Sequence, residues 1–419
     1  MSTMERILRL MAEKKASDVY LSANSPALIK INGEAVPINN QVLPADAPRN
    51  LLAEVLPPAR IEELEELGEL NMAFPVAGVG NFRISAFRQR STYAAVIRFV
   101  PTEIPPLDSL NVPPILASLI MEKRGLLLMV GATGAGKSTT LAAMMDHRNA
   151  TAPGHILTIE DPVEFLFTNK RSVVNQREVG SDTQSLQVAL KNALRQAPDV
   201  ILIGEIRDAE TMEHAIAFAE TGHLCLGTLH ANSASQTIER IINFFPEERR
   251  AQLLMDLSAN LRGIVSQRLV RREDGKGRSA AIEILLNTPT IAERIFQGEF
   301  HEIKAIMTKS RELGMRTFDW ALFELYNEGL ISFEEAIRNA DSANELRLNI
   351  KLKSARGEPP PSAFMSLSID EEPTPEEIEE KKHQALHAQQ EARRRLEDEQ
   401  LQQLREKRRL AEGAAGPAR

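Results

Sequence analysis

Apolar residues recur along the first hundred positions with two periods, and these periods predict both helices and strands. A spacing of three or four residues marks one face of an opening helix, formed by Met4, Ile7, Leu8 and Met11. Runs rich in β-branched and aromatic residues predict strands at about 18–22, 27–31, 81–87 and 93–100. A helical segment is predicted at about 45–68, and Asn32-Gly33 predicts a hairpin turn. Residues 1–100 are therefore predicted to form an α+β domain.

The pattern changes after residue 100. Residues 101–114 contain five prolines and few helix-forming residues, which is typical of a linker. In residues 115–290, apolar runs alternate with amphipathic segments, which favours an α/β domain with a mostly parallel sheet covered on both faces. The predicted strands are 126–130, 155–159, 199–203 and 224–229, and the predicted helices are 113–124, 138–145, 183–197 and 209–221.

Helices and a charged tail follow the predicted sheet. Residues 291–355 include helical segments at about 318–327 and 333–340, and Ser332 with Glu335 has the spacing of a capping box. Beyond that region the periodicity is lost, and charged residues of both signs dominate. Residues 356–419 are therefore predicted to be a disordered or transiently helical tail.

Composition narrows the class of protein. The chain has 419 residues, of which 43% are hydrophobic, so it can bury the cores of two or three domains. No apolar run approaches the roughly 18 residues of a membrane span, and the charged residues 1–15 lack the apolar stretch of a signal peptide. Cys225 is the only cysteine, which excludes an internal disulfide and a cysteine zinc cluster. We expect a cytoplasmic protein, and its net charge of −8 argues against nucleic acid as a partner.

A phosphate-binding motif carries the clearest chemical signal. Residues 131–138 have the G-x-x-x-x-G-K-[ST] spacing, with an apolar run before them and a helical segment after them. Glycines let the backbone curl so that successive N–H groups point at one anion, and Lys137 can then reach the terminal phosphates. The Ser138 hydroxyl is suited to ligate the Mg2+ that bridges them, so the motif predicts that the chain binds a nucleoside triphosphate with Mg2+. The predicted nucleotide-binding residues are Gly131, Ala132, Thr133, Gly134, Ala135, Gly136, Lys137, Ser138 and Thr139.

Three further polar residues follow the carboxyl ends of predicted strands, namely Glu160, Glu205 and His230. Ligands bind at that edge of an open parallel sheet, so these side chains should converge on the phosphate loop. Two carboxylates there indicate a metal and water site, in which one holds Mg2+ and the other positions the attacking water. The spacing does not say which carboxylate has which role. His230 is either a contact to the γ-phosphate or a structural hydrogen-bond donor, and the same alternatives apply to His223.

With these motifs in place, residues 1–350 resemble the secretion-superfamily ATPases of type IV pili. Within them the chain is similar to the twitching-motility retraction ATPases, the PilT and PilU family, and most similar to the PilU branch. The resemblance rests on a Walker A loop, an Asp box, a Walker B motif and a His box, at 131–138, 158–164, 199–208 and 221–230. It implies a PAS-like N-terminal domain, a RecA-like P-loop ATPase domain and a homohexameric ring.

The resemblance also implies roles that the spacing leaves open. It implies that Glu160 is the general base toward water, that Glu205 supports Mg2+ through water, and that His230 contacts the γ-phosphate region. Four arginines, taken alone, are interpreted as a solvated basic edge, but Arg83 and Arg98 match arginines that reach a neighbouring subunit's nucleotide in this family. The secondary candidates are Arg88, Arg90, Arg207 and His223.

As a member of this family, the protein would use ATP hydrolysis to retract pili at the inner face of the cytoplasmic membrane. The implied partners are further copies of the chain, the inner-membrane platform protein of the pilus and a paralogous retraction ATPase. One alternative is an accessory subunit that docks on a partner motor, because intact motif residues do not guarantee turnover. Another is a pilus-extension or type II secretion ATPase, but those relatives usually carry a tetracysteine zinc module, which one cysteine cannot form.

Overall fold

A computed structural model describes residues 2–31, 34–100 and 103–356 of the chain. The predicted turn at Asn32-Gly33, the first two residues of the predicted linker and the tail beyond residue 356 lie outside the described residues. Among the helices that are described, none combines the length and the apolar character needed to cross a bilayer.

The N-terminal part is organised around a sheet of six strands. Its opening helix α1 (Thr3–Glu13) begins at Ser2, whose hydroxyl accepts a hydrogen bond from the Glu5 N–H, and it buries Met4, Leu8 and Met11. The further elements are β1 (Asp18–Ser22), β2 (Pro26–Ile31), β3 (Glu34–Val42), α2 (Ala47–Ala53), α3 (Pro58–Leu67), β4 (Glu69–Val76), β5 (Gly80–Gln89) and β6 (Thr92–Val100). The strand order is β3-β2-β1-β6-β5-β4, and every neighbouring pair is antiparallel.

Two features of this part differ from the sequence prediction. The single helix predicted at about 45–68 is two helices, because Pro57 and Pro58 lack the N–H groups that a continuous helix would need, and Pro58 instead starts α3. The sequence does not indicate strand β4, and it indicates β3 only as the second arm of the hairpin predicted at Asn32-Gly33. Nearly every residue of β3 is exposed, so it lacks the alternation of apolar and polar residues that identifies a half-buried strand.

The parallel sheet of the second part has seven strands in the order β13-β12-β7-β11-β10-β8-β9. Its strands are β7 (Gly125–Val130), β8 (Gly154–Glu160), β9 (Ser172–Glu178), β10 (Val200–Ile203), β11 (Leu224–Leu229), β12 (Leu261–Arg271) and β13 (Arg278–Leu286). All neighbours are parallel except β12 and β13. Alternate residues of β7 belong to two different buried clusters, so both faces of the sheet are covered. The predicted α/β class is confirmed.

Helices connect and cover these strands. They are α4 (Ile115–Leu119), α5 (Lys137–Thr151), α6 (Leu186–Ala193), α7 (Ala209–Glu220), α8 (Ala234–Asn243), α9 (Glu247–Asn260), α10 (Pro289–Gln297), α11 (Ile303–Lys309), α12 (Phe318–Asn327), α13 (Phe333–Asn339) and α14 (Ala343–Lys353). The helix predicted to reach residue 124 ends at Leu119. Arg148 on α5 donates to the carbonyls of Ile120 and Glu122, at 2.7 and 2.8 Å, and so caps that end.

The structure also differs from two predictions made for the starts of helices. The helix predicted from Thr183 begins at Leu186, because Ser185 is its N-cap and accepts a hydrogen bond from the Val188 N–H. The capping box predicted at Ser332 is half formed. The Ser332 hydroxyl accepts from the Glu335 N–H, but the Glu335 carboxylate accepts from the Arg271 N–H at 3.0 Å instead of turning back.

Candidate nucleotide-binding site

The phosphate loop leaves the end of β7 and enters α5 at Lys137. Gly131, Gly134 and Gly136 have φ of 151°, 76° and 83°, a region that side chains with a Cβ rarely occupy. At Gly136 an added Cβ would also lie 2.7 Å from the side-chain nitrogen of Gln267. The glycines therefore permit both the curl of the loop and its close approach to β12.

Gln267 of β12 contacts this loop and was not identified from the sequence. It is buried, its amide group donates to the Ala135 carbonyl at 2.9 Å, and its amide oxygen accepts from the Thr140 hydroxyl at 2.8 Å. The sequence signal is the pair of polar residues Ser266 and Gln267 that directly follows the apolar Ile264 and Val265 in β12. A buried polar side chain with all its partners fixed gives the loop a single shape.

Lys137 holds its ammonium group against its own loop. Its Nζ donates to the carbonyls of Gly131 and Ala132, at 2.7 and 3.1 Å. Burial lowers the pKa of Lys137, and the nearby carboxylates of Glu205 and Glu164 oppose that shift. The cation is thus placed beside the loop, where phosphate oxygens can replace the carbonyls as its partners.

Glu160 lies at the end of β8 and is held by two donors. The Thr158 hydroxyl donates to its Oε1 at 2.6 Å, and the Gln176 amide donates to the same oxygen at 3.2 Å. Burial raises the pKa of Glu160, and the hydrogen bonds from Thr158 and Gln176 oppose that shift. A fixed carboxylate with a raised pKa suits a group that accepts a proton.

Glu205 follows β10 and contacts the side chains of Arg207 and His230. Its Oε2 pairs with Arg207 at 2.7 Å, and its Oε1 lies 3.2 Å from Nε2 of His230 at the end of β11. The hydrogen bond and the charge of Glu205 raise the pKa of Arg207. The structure therefore brings Glu205, Arg207 and His230 together.

His223 does not belong to this group. It precedes β11 whereas His230 follows it, so the two histidines lie at opposite edges of the sheet. The Nδ1 atom of His223 lies 3.1 Å from the Thr221 hydroxyl and 3.2 Å from the Phe218 carbonyl, at the end of α7. Its position is that of a helix-end hydrogen-bonding group, the structural alternative left open by the sequence.

Of the four N-terminal arginines, Arg98 lines the cavity of the site and Arg83 lies beside it. Arg83 and Arg98 face each other across β5 and β6. Arg83 donates to the Val163 carbonyl at 2.7 Å, and its pKa is lowered by burial, with Glu178 and Glu164 opposing the shift. Arg98 pairs with the buried Asp18 at 2.9 Å and lines the cavity over the chain's own phosphate loop.

Arg88 and Arg90 lie elsewhere. They occupy the turn end of the β5–β6 hairpin, where Arg88 is paired with Tyr93 and Arg90 has a φ of 45°. Neither lines the cavity that contains Arg98. Their flanking position in the sequence does not bring them to the site, because the hairpin carries them away from its base.

One cavity of about 560 Å³, a size suited to a small-molecule ligand, is lined by most of the predicted groups. Gly131, Ala132 and Arg83 are not among its lining residues. Its lining residues include the loop from Thr133 to Thr139 together with Glu160, Glu205, His230 and Arg98. Glu164 from the Asp-box segment also lines it, as do residues that the sequence did not indicate, among them Phe165, Phe167, Leu269 and Arg278. The last two come from the antiparallel β12–β13 pair, which carries no recognised motif.

The donor set of this cavity suits Mg2+. Ser138, Glu205 and Glu160 line it, and magnesium prefers one or two carboxylates together with phosphate oxygens. Among the described residues, no group of three or more histidine, cysteine, aspartate or glutamate side chains forms a metal cage of its own. A magnesium ion here would therefore depend on phosphate oxygens for part of its coordination.

Comparisons with known proteins agree with this geometry. A family model described as "Type II/IV secretion system protein" matches residues 68–338. A Pseudomonas aeruginosa protein named "Type IV pilus ATPase PilU" is 53% identical over 350 residues, which cover 84% of this chain and 92% of that protein. A second protein of that organism, named "Type IV pilus retractation ATPase PilT", is 41% identical and covers 80% of this chain and 97% of its own length.

A solved structure gives the same result in three dimensions. It is described as "Crystal Structure of the Pilus Retraction Motor PilT and Bound ADP", and it superposes with a TM-score of 0.77 at 41% identity. The superposition covers 82% of this chain and 98% of that one. The predicted resemblance to the PilT and PilU proteins is confirmed. The chain belongs to the Type II/IV secretion system protein family.

Proposed function

We propose that this protein is a Mg2+-dependent ATPase that works as a homohexamer and drives type IV pilus retraction together with a paralogous retraction ATPase. The observation that carries this proposal is the single cavity lined by the phosphate loop, Glu160, Glu205, His230 and Arg98. The similarity to proteins named as a type IV pilus ATPase and a retraction ATPase supports the same function.

In the proposed mechanism the phosphate loop binds ATP through its backbone N–H groups. The Lys137 ammonium exchanges the Gly131 and Ala132 carbonyls for phosphate oxygens. Ser138 and Glu205 are the residues that would hold Mg2+, with Glu205 acting through a water molecule. When bound, the ion would neutralise the charge that develops on the transferred phosphate.

Hydrolysis then requires an activated water molecule. Glu160 takes its proton while the water oxygen bonds to the γ-phosphorus and the bond to the bridging oxygen breaks. Thr158 and Gln176 fix the orientation of Glu160 through their two hydrogen bonds. His230, held by Glu205, contacts the γ-phosphate and distinguishes ATP from ADP.

Arg83 and Arg98 complete the proposed site from the N-terminal domain. Family resemblance assigns such arginines to a neighbouring subunit's nucleotide, whereas in this chain Arg98 lines the chain's own cavity. Hexamers mixed from Arg98→Ala and Lys137→Ala subunits separate these cases. Activity that recovers in mixed rings supports action across the subunit interface, and activity that stays absent supports action within one chain.

The remaining parts of the proposal concern location and partners. We place the ring in the cytoplasm, at the inner face of the cytoplasmic membrane, where it would act on the platform protein of the pilus. These assignments rest on similarity to the pilus ATPases and not on a surface identified in this chain. Nucleic acid is not a proposed partner, because the net charge is −8.

The deciding experiment is steady-state ATP hydrolysis by the purified full chain, alone and with the paralogous ATPase, beside Lys137→Ala. Turnover by the chain alone, lost in Lys137→Ala, supports an autonomous motor. No turnover by the chain alone, but turnover in the mixture above that of the paralogous ATPase alone, supports the accessory alternative. The absence of turnover and of ATP binding in every mixture would refute both.

A further inference from the structure

Arg268 lies next to Gln267 on β12 and joins three separate parts of the chain. Its Nη2 donates to the Asn232 carbonyl at 3.0 Å and pairs with Asp341 at 2.9 Å. Its Nη1 donates to the Asn339 carbonyl at 3.0 Å. Arg268 therefore connects the segment after β11 with the junction between α13 and α14.

The same guanidinium group is also held from its face. It stacks over the ring of Phe318, the first residue of α12, at 3.9 Å. Asp341 is itself fixed, because its N–H donates to the buried carboxylate of Asp319 at 2.7 Å. Lys304 lies between the two carboxylates, 3.2 Å from Asp319 and 3.5 Å from Asp341.

Two contacts connect this part of β12 with the candidate nucleotide site. Asn232 comes two residues after His230, which contacts Glu205 in the cavity. On the other face of β12, Gln267 holds the phosphate loop through the Ala135 carbonyl. Successive residues of a strand point to opposite faces. Gln267 therefore contacts the candidate site on one face of β12, and Arg268 contacts the C-terminal helices on the other.

We propose that Arg268 is a positioning residue that links the nucleotide state of the site to the placement of α13 and α14. A shift of His230 toward or away from a phosphate carries the Asn232 carbonyl with it. Arg268 follows that carbonyl and moves Asn339 and Asp341, which end α13 and precede α14. The proposal rests on the proposed function in one respect, because a nucleotide must occupy the phosphate loop.

The chemistry of the link requires arginine. A planar guanidinium donates in several fixed directions and still stacks on an aromatic ring, whereas a lysine ammonium is a compact charge. Arg268→Lys therefore keeps the positive charge and loses the simultaneous contacts. Asp341→Asn keeps the shape and weakens the charged contact, and it leaves Arg268 on Asn232 and Phe318.

The test is hydrogen–deuterium exchange of the full chain without nucleotide, with ADP and with a slowly hydrolysed ATP analogue. In the wild type, peptides covering 333–353 should change their exchange rate between the ADP and ATP-analogue states by about five-fold or more, as coupled sites do. In Arg268→Lys this change should disappear, while protection of 131–139 by the analogue persists. Asp341→Asn should reduce it and serves as the test if Arg268→Lys does not fold.

Arg272→Lys is the matched control, since it lies just beyond β12 and pairs only with Asp274 among the described acidic residues. It should respond as the wild type does. If nucleotide protects residues 131–139 of the wild type but leaves the exchange rate of residues 333–353 unchanged, the proposed linkage is wrong and the proposed function stands. A folded Arg268→Lys chain with the full response would also overturn the linkage. No protection of 131–139 in the wild type would instead refute the proposed function.

Discussion

Replacing Glu160 with glutamine separates the binding of ATP from its hydrolysis. In the wild type the Thr158 hydroxyl lies 2.6 Å from Oε1 of Glu160. The substitution keeps the size of the side chain and an oxygen that can accept this hydrogen bond. It removes the carboxylate that we propose accepts a proton from water. ATP affinity should therefore stay within about three-fold of the wild type, since the phosphate loop and Lys137 are untouched.

The expected loss of turnover follows from the role of the carboxylate. A positioned general base contributes about 10²–10⁴-fold, which corresponds to roughly 3–5 kcal/mol of transition-state free energy. Burial raises the pKa of Glu160, so the proton-accepting form is lost at a higher pH than for an ordinary glutamate. The wild-type kcat should rise as the pH increases through this raised pKa, and Glu160→Gln should lack that rise.

The assay is single-turnover hydrolysis beside equilibrium binding of a fluorescent ATP analogue, both across a range of pH. Glu239→Gln is the control, because Glu239 is exposed on α8 and outside the cavity. A Glu160→Gln protein that keeps more than about a tenth of the wild-type rate would contradict the assignment, since a base of ordinary efficiency contributes more. Loss of ATP binding together with turnover would instead indicate that Glu160 shapes the loop.

Three further predictions concern neighbouring features. Burial raises the pKa of Glu283 from the ordinary value of 4.5 to about 7. Between these two pH values the folded chain keeps a proton that the unfolded chain loses, so the free energy of unfolding falls as the pH rises through this window. Denaturant titrations at about pH 5 and pH 8 should show that the free energy of unfolding falls less between these pH values in Glu283→Gln than in the wild type, by up to about 3 kcal/mol. Equal falls in the two proteins would contradict this prediction. Gly136→Ala should weaken ATP binding at least ten-fold, about 1.4 kcal/mol, because its Cβ would meet the Gln267 side chain, and calorimetry would measure that loss. His230→Asn should lower kcat, whereas His223→Asn should lower Tm and leave kcat near the wild-type value, so equal kcat losses would refute the separation of the two histidines.

Four of the seven strands in the mostly parallel sheet, β7, β8, β10 and β11, could be predicted from the sequence because each contains a largely apolar run, whereas β9, β12 and β13 could not. Strand β10 (Val200–Ile203) and the core of β7 are buried along their whole length, and a strand covered on both faces needs no polar positions. The edge strand β9 (Ser172–Glu178) alternates buried and exposed residues irregularly and was missed. The two-helix arrangement at 47–67 was missed because apolar spacing continues across the prolines that interrupt it.

The site could be predicted only where a motif or a strand end marked it. The phosphate loop, Glu160, Glu205 and His230 all follow apolar strands, and the parallel topology brings them to one edge. Gln267 could not be placed by that rule, since its function depends on a contact with Ala135 across the sheet. The separation of Arg98 from Arg88 likewise depends on how the hairpin folds, which residue spacing does not determine.

The contact between Gln267 and the phosphate loop has a consequence for the order in which the protein acquires activity during synthesis. The loop, the carboxylates and His230 have all left the ribosome well before residue 267 does. Until β12 joins the sheet beside β7, the Ala135 carbonyl and the Thr140 hydroxyl lack the side chain that fixes them. A nascent chain that ends before β12 therefore carries every nucleotide motif and still lacks the finished phosphate cradle, so ATP cannot be captured in its final geometry before the sheet is complete.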